Sequence, residues 1–278
     1  MKSFKINILT ILSIVLVNIS NAQDRQFVRT YQSSVLTKGQ MDLEAWSTYR
    51  TGRKYFFNRI DNRLEFEMGL TDKLQTTFYF NATHKSFAAN IDSLGGIADT
   101  STSGIFHESE FSVSSEWKWK LSDPSANKVG FALYAELGLS PSEIEIENKI
   151  IIDKKTEKNI FSLNLVNEYE IKYEVEKGEK ETEWEDEPEI DIAFMHMLRG
   201  DLGLGLEIVN SNEIEDGNWN FSALYGGPTI FYSGEKYFLI LNALPQWANL
   251  HKTEDTPNNL VLNAREKIEV RLLVGFHF

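Results

Sequence analysis

The chain contains no cysteine, so a disulfide scaffold, a thiolate nucleophile and a Cys-ligated metal are all excluded. Basic charge is also scarce: 28 Lys and Arg stand against 41 Asp and Glu, a net charge of −13. That balance argues against nucleic acid as a partner, because phosphate neutralisation needs Lys and Arg in excess. Proline is sparse, with six in 278 residues. The five histidines (His84, His107, His196, His251, His277) form no H-E-x-x-H arrangement and no pair at metal-ligand spacing. No G-x-S-x-G nucleophile elbow occurs, and the glycines of DSLGG at 92–96 lie in a loop pattern with no following lysine, so they are no phosphate cradle. Long apolar runs are missing beyond the first 22 residues, which leaves no candidate transmembrane helix.

The one apolar run is Ile6–Val17, preceded by Lys2 and Lys5 and followed by the small-residue stretch Ser20-Asn21-Ala22. It is too short to span a bilayer and has the layout of a secretory signal, so residues 1–22 are expected to be removed and 23–278 to form one domain. Loss of Lys2 and Lys5 takes the net charge from −13 to −15.

What fills the rest is alternation. In YFFNRIDNRLEFEMGL (55–70), Ile60, Leu64, Phe66, Met68 and Leu70 fall on one parity, and Arg59, Asp61, Arg63, Glu65 and Glu67 on the other. Charges at i, i+2, i+4 and i+6 would spread around a helix but share one face of a strand. The same pattern recurs from Met41 to Leu165, as in Phe111/Val113/Trp117/Trp119 against Glu110/Glu116/Lys118/Lys120 and in Ile144/Ile146/Ile150/Ile152 against Glu143/Glu145/Glu147/Lys149. Further strands are expected over 189–198, 202–209, 218–232, 237–249 and 261–278, making twelve; the parity of 218–232 and 237–249 is mixed. Connections alternate in length. Short turns such as TDK, DPSANK, RGD and SGEK fall at one end, and the long loops at the other. Aromatics gather near strand ends (Trp117, Trp119, Tyr169, Tyr173, Trp219, Trp247), as membrane girdles do. The expected fold is all-β: a single antiparallel transmembrane barrel of about twelve strands, with a lipocalin-like barrel or a β-sandwich as the soluble competitor.

The final strand, VRLLVGFHF, resembles the recognition strand of Gram-negative outer-membrane barrels, with Val274, Phe276 and Phe278 in the positions read during insertion. The leader region and low proline content also look like exported proteins of Bacteroidota, among which the chain is similar to outer-membrane barrels of unassigned function. The resemblance implies a location in the cell outer membrane, contact with its lipid, and capture by the barrel-assembly machinery through the last strand.

If the apolar parity faces lipid, the other parity lines the lumen: Arg59, Asp61, Arg63, Glu65, Glu67, Glu136, Glu145, Glu147, Glu168, Glu170, Arg265, Lys267, Glu269 and Arg271. Arginine is expected on strands one, two and twelve, and acid on strands five to seven. Such a lumen reads equally as a set of structural ion pairs or as a solute path with a transverse field. The acidic run 174–189 is expected to be a solvated loop rather than a calcium site, since its spacing fits no calcium loop. His107 and Ser109 share a strand face, as in barrel phospholipases, but on the apolar parity and without a matching asparagine motif. The reading is a passive channel for small hydrophilic solutes, with no enzymatic role, no cofactor and no metal. The alternative is a non-conducting barrel that is structural or binds surface ligands through its loops.

Overall fold

The computed structural model describes residues 25–88, 104–176, 179–215 and 217–278. Residues 1–22, with the expected leader and its cleavage point, and the DSLGG stretch lie outside the described residues. Twelve strands close into one antiparallel barrel, each paired with its sequence neighbours and β1 with β12. They are β1 (Met41–Thr51), β2 (Phe57–Thr71), β3 (Leu74–Ala88), β4 (Ile105–Ser122), β5 (Gly130–Leu139), β6 (Glu143–Lys155), β7 (Asn159–Glu176), β8 (Glu179–Arg199), β9 (Leu202–Glu215), β10 (Asn218–Ser233), β11 (Tyr237–His251) and β12 (Ile268–His277). Short turns join β2–β3, β6–β7, β8–β9 and β10–β11 at one end, called here the turn end, where β1 begins and β12 finishes. The opposite rim is the loop end.

The parity expected from the sequence sorts the side chains cleanly. Leu64, Phe80, Phe111, Trp119, Ile150, Ile192, Leu241 and Leu272 point outward and are exposed, while Asp61, Glu65, Glu116, Glu136 and Arg271 are buried inside. A water-soluble barrel would invert this order, since apolar patches of that extent are not left in water. Trp117, Trp219, Trp247 and Phe276 are also exposed on the outer face.

Three sequence expectations need correcting. The acidic run at 174–189 is not a loop: β7 runs to Glu176 and β8 starts at Glu179, so the run is the far part of a long hairpin. Pairing with β7 carries the backbone hydrogen bonds outward and overrides the charge density that suggested a coil. The last strand is shorter than expected, starting at Ile268. Residues 252–267 instead form a connection that folds into the mouth. There Val261 is buried among Val209, Phe221, Ala223, Tyr225 and Leu244, its amide donating to Gln246 Oε1 at 2.6 Å. Finally, Lys267 is exposed and belongs to that connection, so strand alternation does not turn it inward.

The sequence pattern predicts neither strand nor helix over residues 25–40. They enter the barrel from the turn end and pack inside it. Phe27 and Val28 have no exposed surface and sit among inward-facing Ile160, Ala193, Met195, Phe231, Phe238, Ile240 and Leu273. This packing explains why both faces of β10 and β11 read as mixed: one apolar face meets the outside, the other meets the N-terminal segment. Where the segment passes under β2, Gly39 and Gln40 exchange backbone hydrogen bonds with Gly69. A side chain at Gly69 would collide with the backbone of Leu36 and Thr37, so glycine is required there.

Candidate functional site

The N-terminal segment is held from several walls at once. The carboxylate of Glu207, fully buried on β9, accepts from three successive amides: Val28 N at 3.0 Å, Arg29 N at 2.8 Å and Thr30 N at 3.0 Å. Thr229 Oγ1 (2.9 Å) and Asn242 Nδ2 (3.0 Å) also donate to it. An anion in a nest of consecutive N–H groups is a strong anchor. Asn164 adds a two-point clamp on Tyr31, accepting from its amide at 2.6 Å and donating to its carbonyl at 3.0 Å. Arg25 reaches Glu44 at 3.4 Å and Glu65 at 3.7 Å and lies over the Tyr31 ring at 4.4 Å. Arg29 pairs with Glu189 at 3.0 Å and Glu269 at 3.8 Å.

The segment divides the lumen. Towards the loop end lies a cavity of about 690 Å³, lined by Arg59, Asp61, Arg63, Glu136, Glu145, Glu147, Glu168, Glu170, Arg265, Glu269 and Arg271 among others. Towards the turn end lies a cavity of about 30 Å³ lined by Asp42, Glu44, Glu67, Gln75 and Lys118. Arg25 and Tyr31 border both, so these two side chains form the partition. Of the residues expected in the lumen, eleven line the larger space, Glu67 lines the smaller one, Glu65 is buried beside the partition, and Lys267 is elsewhere.

Strand register turns the acids into continuous rows. Directly opposed across successive strands are Asp42 and Glu67, Glu67 and Thr77, Thr77 and Glu116, Glu116 and Glu136, Glu136 and Glu147, Glu147 and Glu168, and Glu168 and Glu187. One step along the same face, a second row runs through Glu44, Glu65, Tyr79, Ser114, Gly138, Glu145, Glu170, Glu185 and Glu215. Like charges directly opposite destabilise a sheet, so a row of them needs cations. Lys149 supplies one at 3.0 Å from Glu147, Lys172 one at 2.6 Å from Glu170, and Arg63 one at 3.7 Å from Glu136. Because strands of a closed barrel tilt, a row perpendicular to them climbs as it goes round. These rows start near the turn end on β1 and finish near the loop end on β8 and β9.

Opposite the acids, arginine gathers on β1, β2 and β12. Arg50 bridges Asp61 at 2.8 Å and Glu269 at 3.0 Å, Arg59 pairs with Asp61 at 2.6 Å, and Arg271 stacks over Trp46 at 4.0 Å. Arg265 spans the mouth to Glu187 and to Glu213, the latter at 3.7 Å.

Sequence reasoning missed Arg25, Arg29, Tyr31, Arg50 and Glu207. Glu207 had a readable signal, a carboxylate set between Gly203, Gly205 and Val209 on the inward face of β9, apart from Glu213 and Glu215 further along it. The segment RQFVRTYQSSV had none, since it shows neither alternation nor helical period. On the outer face, His84 Nδ1 and Ser109 Oγ lie 3.0 Å apart, and Ser86 and His107 also 3.0 Å. These residues project outward near the loop end, as the parity of His107 and Ser109 implied.

A closed barrel with an apolar exterior, a charged interior and an internal N-terminal segment defines the class: the fold is that of outer-membrane β-barrels. The chain belongs to the Family of unknown function (DUF6662), whose model matches residues 19–278. No curated protein matches the sequence. Among solved structures it is similar to the COG4313 outer membrane channel from Pseudomonas putida F1, at 12% identity and TM-score 0.59, covering 91% of this chain and 100% of that one. It is also similar to the translocator domain of autotransporter NalP from Neisseria meningitidis, at 8% identity and TM-score 0.58, covering 87% and 89%. A third similar structure is the β domain of the Bordetella autotransporter BrkA, at 8% identity and TM-score 0.56, covering 87% and 100%. At these identities the likeness is one of fold.

Proposed function

We propose that the protein is an outer-membrane barrel that acts as a narrow passive channel for small hydrophilic solutes, with the loop-end cavity as its vestibule and the N-terminal segment as its constriction. The observation that carries this reading is the 690 Å³ charged space inside a barrel whose outside is apolar. A lumen built only for stability would fill with side chains, as small barrels do. The charge rows favour cations over anions, because acidic rings in a pore raise local cation concentration. In this reading residues 1–22 direct export, the mature chain starts at Gln23, lipid covers the outward belt, and Val274, Phe276 and Phe278 are read by the assembly machinery. The partition made by Arg25 and Tyr31 favours a second reading, a non-conducting barrel that acts through its loops and long β7–β8 hairpin.

The test is single-channel recording of refolded 23–278 in a planar bilayer under a salt gradient, beside a variant lacking residues 25–35. Small cation-preferring steps that grow in the deletion support the channel. Silence from both proteins, with insertion verified by protease protection, overturns it in favour of the second reading.

A further inference from the structure

The acidic rows end at the turn end in a cluster of three carboxylates. One oxygen each from Glu44, Glu65 and Glu67 lies within 4.8 Å of the others, and all three residues are buried. The 30 Å³ cavity lies against Glu44 and Glu67, with Asp42 also in its wall. Its size suits a single water or a small ion.

Clustered acids alone specify no ligand; the unsatisfied atoms around them do. Glu65 has no exposed surface. One of its oxygens accepts from Trp46 Nε1, but Oε2 accepts no hydrogen bond. Arg25 Nη1 stands 3.7 Å from that oxygen, beyond hydrogen-bond reach. Thr77 Oγ1 and Glu116 Oε1 are likewise buried without a partner, and so is the donor Gln75 Nε2. Thr77 is the residue directly opposed to both Glu67 and Glu116, so these atoms lie on neighbouring positions of one inner surface. A buried carboxylate oxygen that accepts no hydrogen bond, with one guanidinium at 3.7 Å shared between two carboxylates, is costly. Asp42, Glu44, Glu65, Glu67 and Glu116 are set here against Arg25, Lys118 and, at Asp42, the His277 ring. The donors are all oxygen, which selects hard divalent cations over zinc or copper.

We propose that Glu44, Glu65 and Glu67 hold a hard divalent cation of the calcium class inside the turn end of the barrel. Bound there, the ion coordinates Glu65 Oε2 and neutralises the foot of the acidic rows, while a water in its shell accepts from Gln75 Nε2. It also shares Glu44 and Glu65 with Arg25, so cation occupancy and the seating of the N-terminal segment are thermodynamically linked, each altering the affinity of the other. The site stands whether or not the barrel conducts.

The test uses refolded, detergent-solubilised 23–278, with TbCl₃ as the spectroscopic substitute for calcium. Trp46 donates to Glu65, so terbium in the site is excited through that indole and its emission falls as CaCl₂ is added. Trp46→Phe should remove most of the sensitised emission. Glu65→Gln/Glu67→Gln should weaken calcium binding, measured by isothermal titration calorimetry, by about tenfold or more. Glu157→Gln/Glu235→Gln, on two turns outside the lumen, should leave it unchanged. Heat-modifiable migration on SDS gels verifies the folded barrel, and Glu67→Gln alone is read if the double variant does not fold. Absence of calcium-displaceable terbium binding by the wild-type chain overturns the proposal, as does calcium affinity unaltered by the Glu65 and Glu67 substitutions. Channel recordings fail or succeed independently of either result.

Discussion

The two ends of this lumen are built from the same wall yet are filled by opposite means. At the turn end the wall of β7–β12 is apolar inside, and the N-terminal segment packs against it through Phe27 and Val28. At the loop end the same barrel is lined by Glu170, Glu185, Glu187 and Glu215, and holds a cavity that side chains do not fill. Apolar packing has no preferred direction and fills space; charge rows must keep water or counter-ions close. The contrast teaches that the seal and the path are separate devices, joined only where Arg25 and Tyr31 touch both spaces.

The comparison breaks most completely if the seal is removed. Deletion of residues 25–35 should raise single-channel conductance severalfold and leave the barrel folded, since all twelve strands keep their pairing; conductance unchanged from the full chain would sink the plug. Glu207→Ala comes next. It strips three backbone amides of their acceptor, and each buried donor left unmet costs roughly 1–3 kcal/mol. Open events should become frequent and amide exchange at Val28–Thr30 should accelerate. Phe27→Ala removes packing alone, about 3–5 kcal/mol of seating energy by analogy with core Phe truncation, and should give the same opening without altering ion preference. At the loop end the effects are smaller and concern selectivity. Glu168→Gln/Glu187→Gln should shift the reversal potential in a salt gradient away from cations, and Arg59→Glu/Arg63→Glu should shift it towards them. If stability falls in either pair while selectivity stays put, the charge rows serve the fold only. The smallest expected effect is that of Ser109→Ala on the outer face, which should leave phospholipid hydrolysis at background.

The barrel was legible because each strand has two unlike faces. Arg59, Asp61, Arg63, Glu65 and Glu67 could be placed on one side from parity alone, and alternate connection lengths then fixed the two rims. Parity failed on β10 and β11 because Phe231, Phe238 and Ile240 are as apolar as the outward Ile230 and Leu241. Their partner is a segment two hundred residues earlier, and no local pattern encodes a contact of that range. The acidic rows were half legible. The carboxylates could be named, but only the cross-strand register places Glu147 beside Glu168 and Glu187 beyond it. Lys267 shows the limit of alternation: one residue before Ile268 the strand has not begun, and parity has no meaning there.

The seat of the N-terminal segment has a kinetic consequence. Residues 28–30, gripped by Glu207, lie only about a dozen residues from the start of β1 at Met41, so the segment is an intramolecular ligand that cannot diffuse away. A tether of that length keeps an effective concentration on the order of millimolar at its own binding site. A seat of quite modest intrinsic affinity therefore stays occupied almost all the time, and a dislodged segment is recaptured before it can exchange with a competitor. A free peptide of the same sequence would have to be supplied at comparable millimolar levels to take its place.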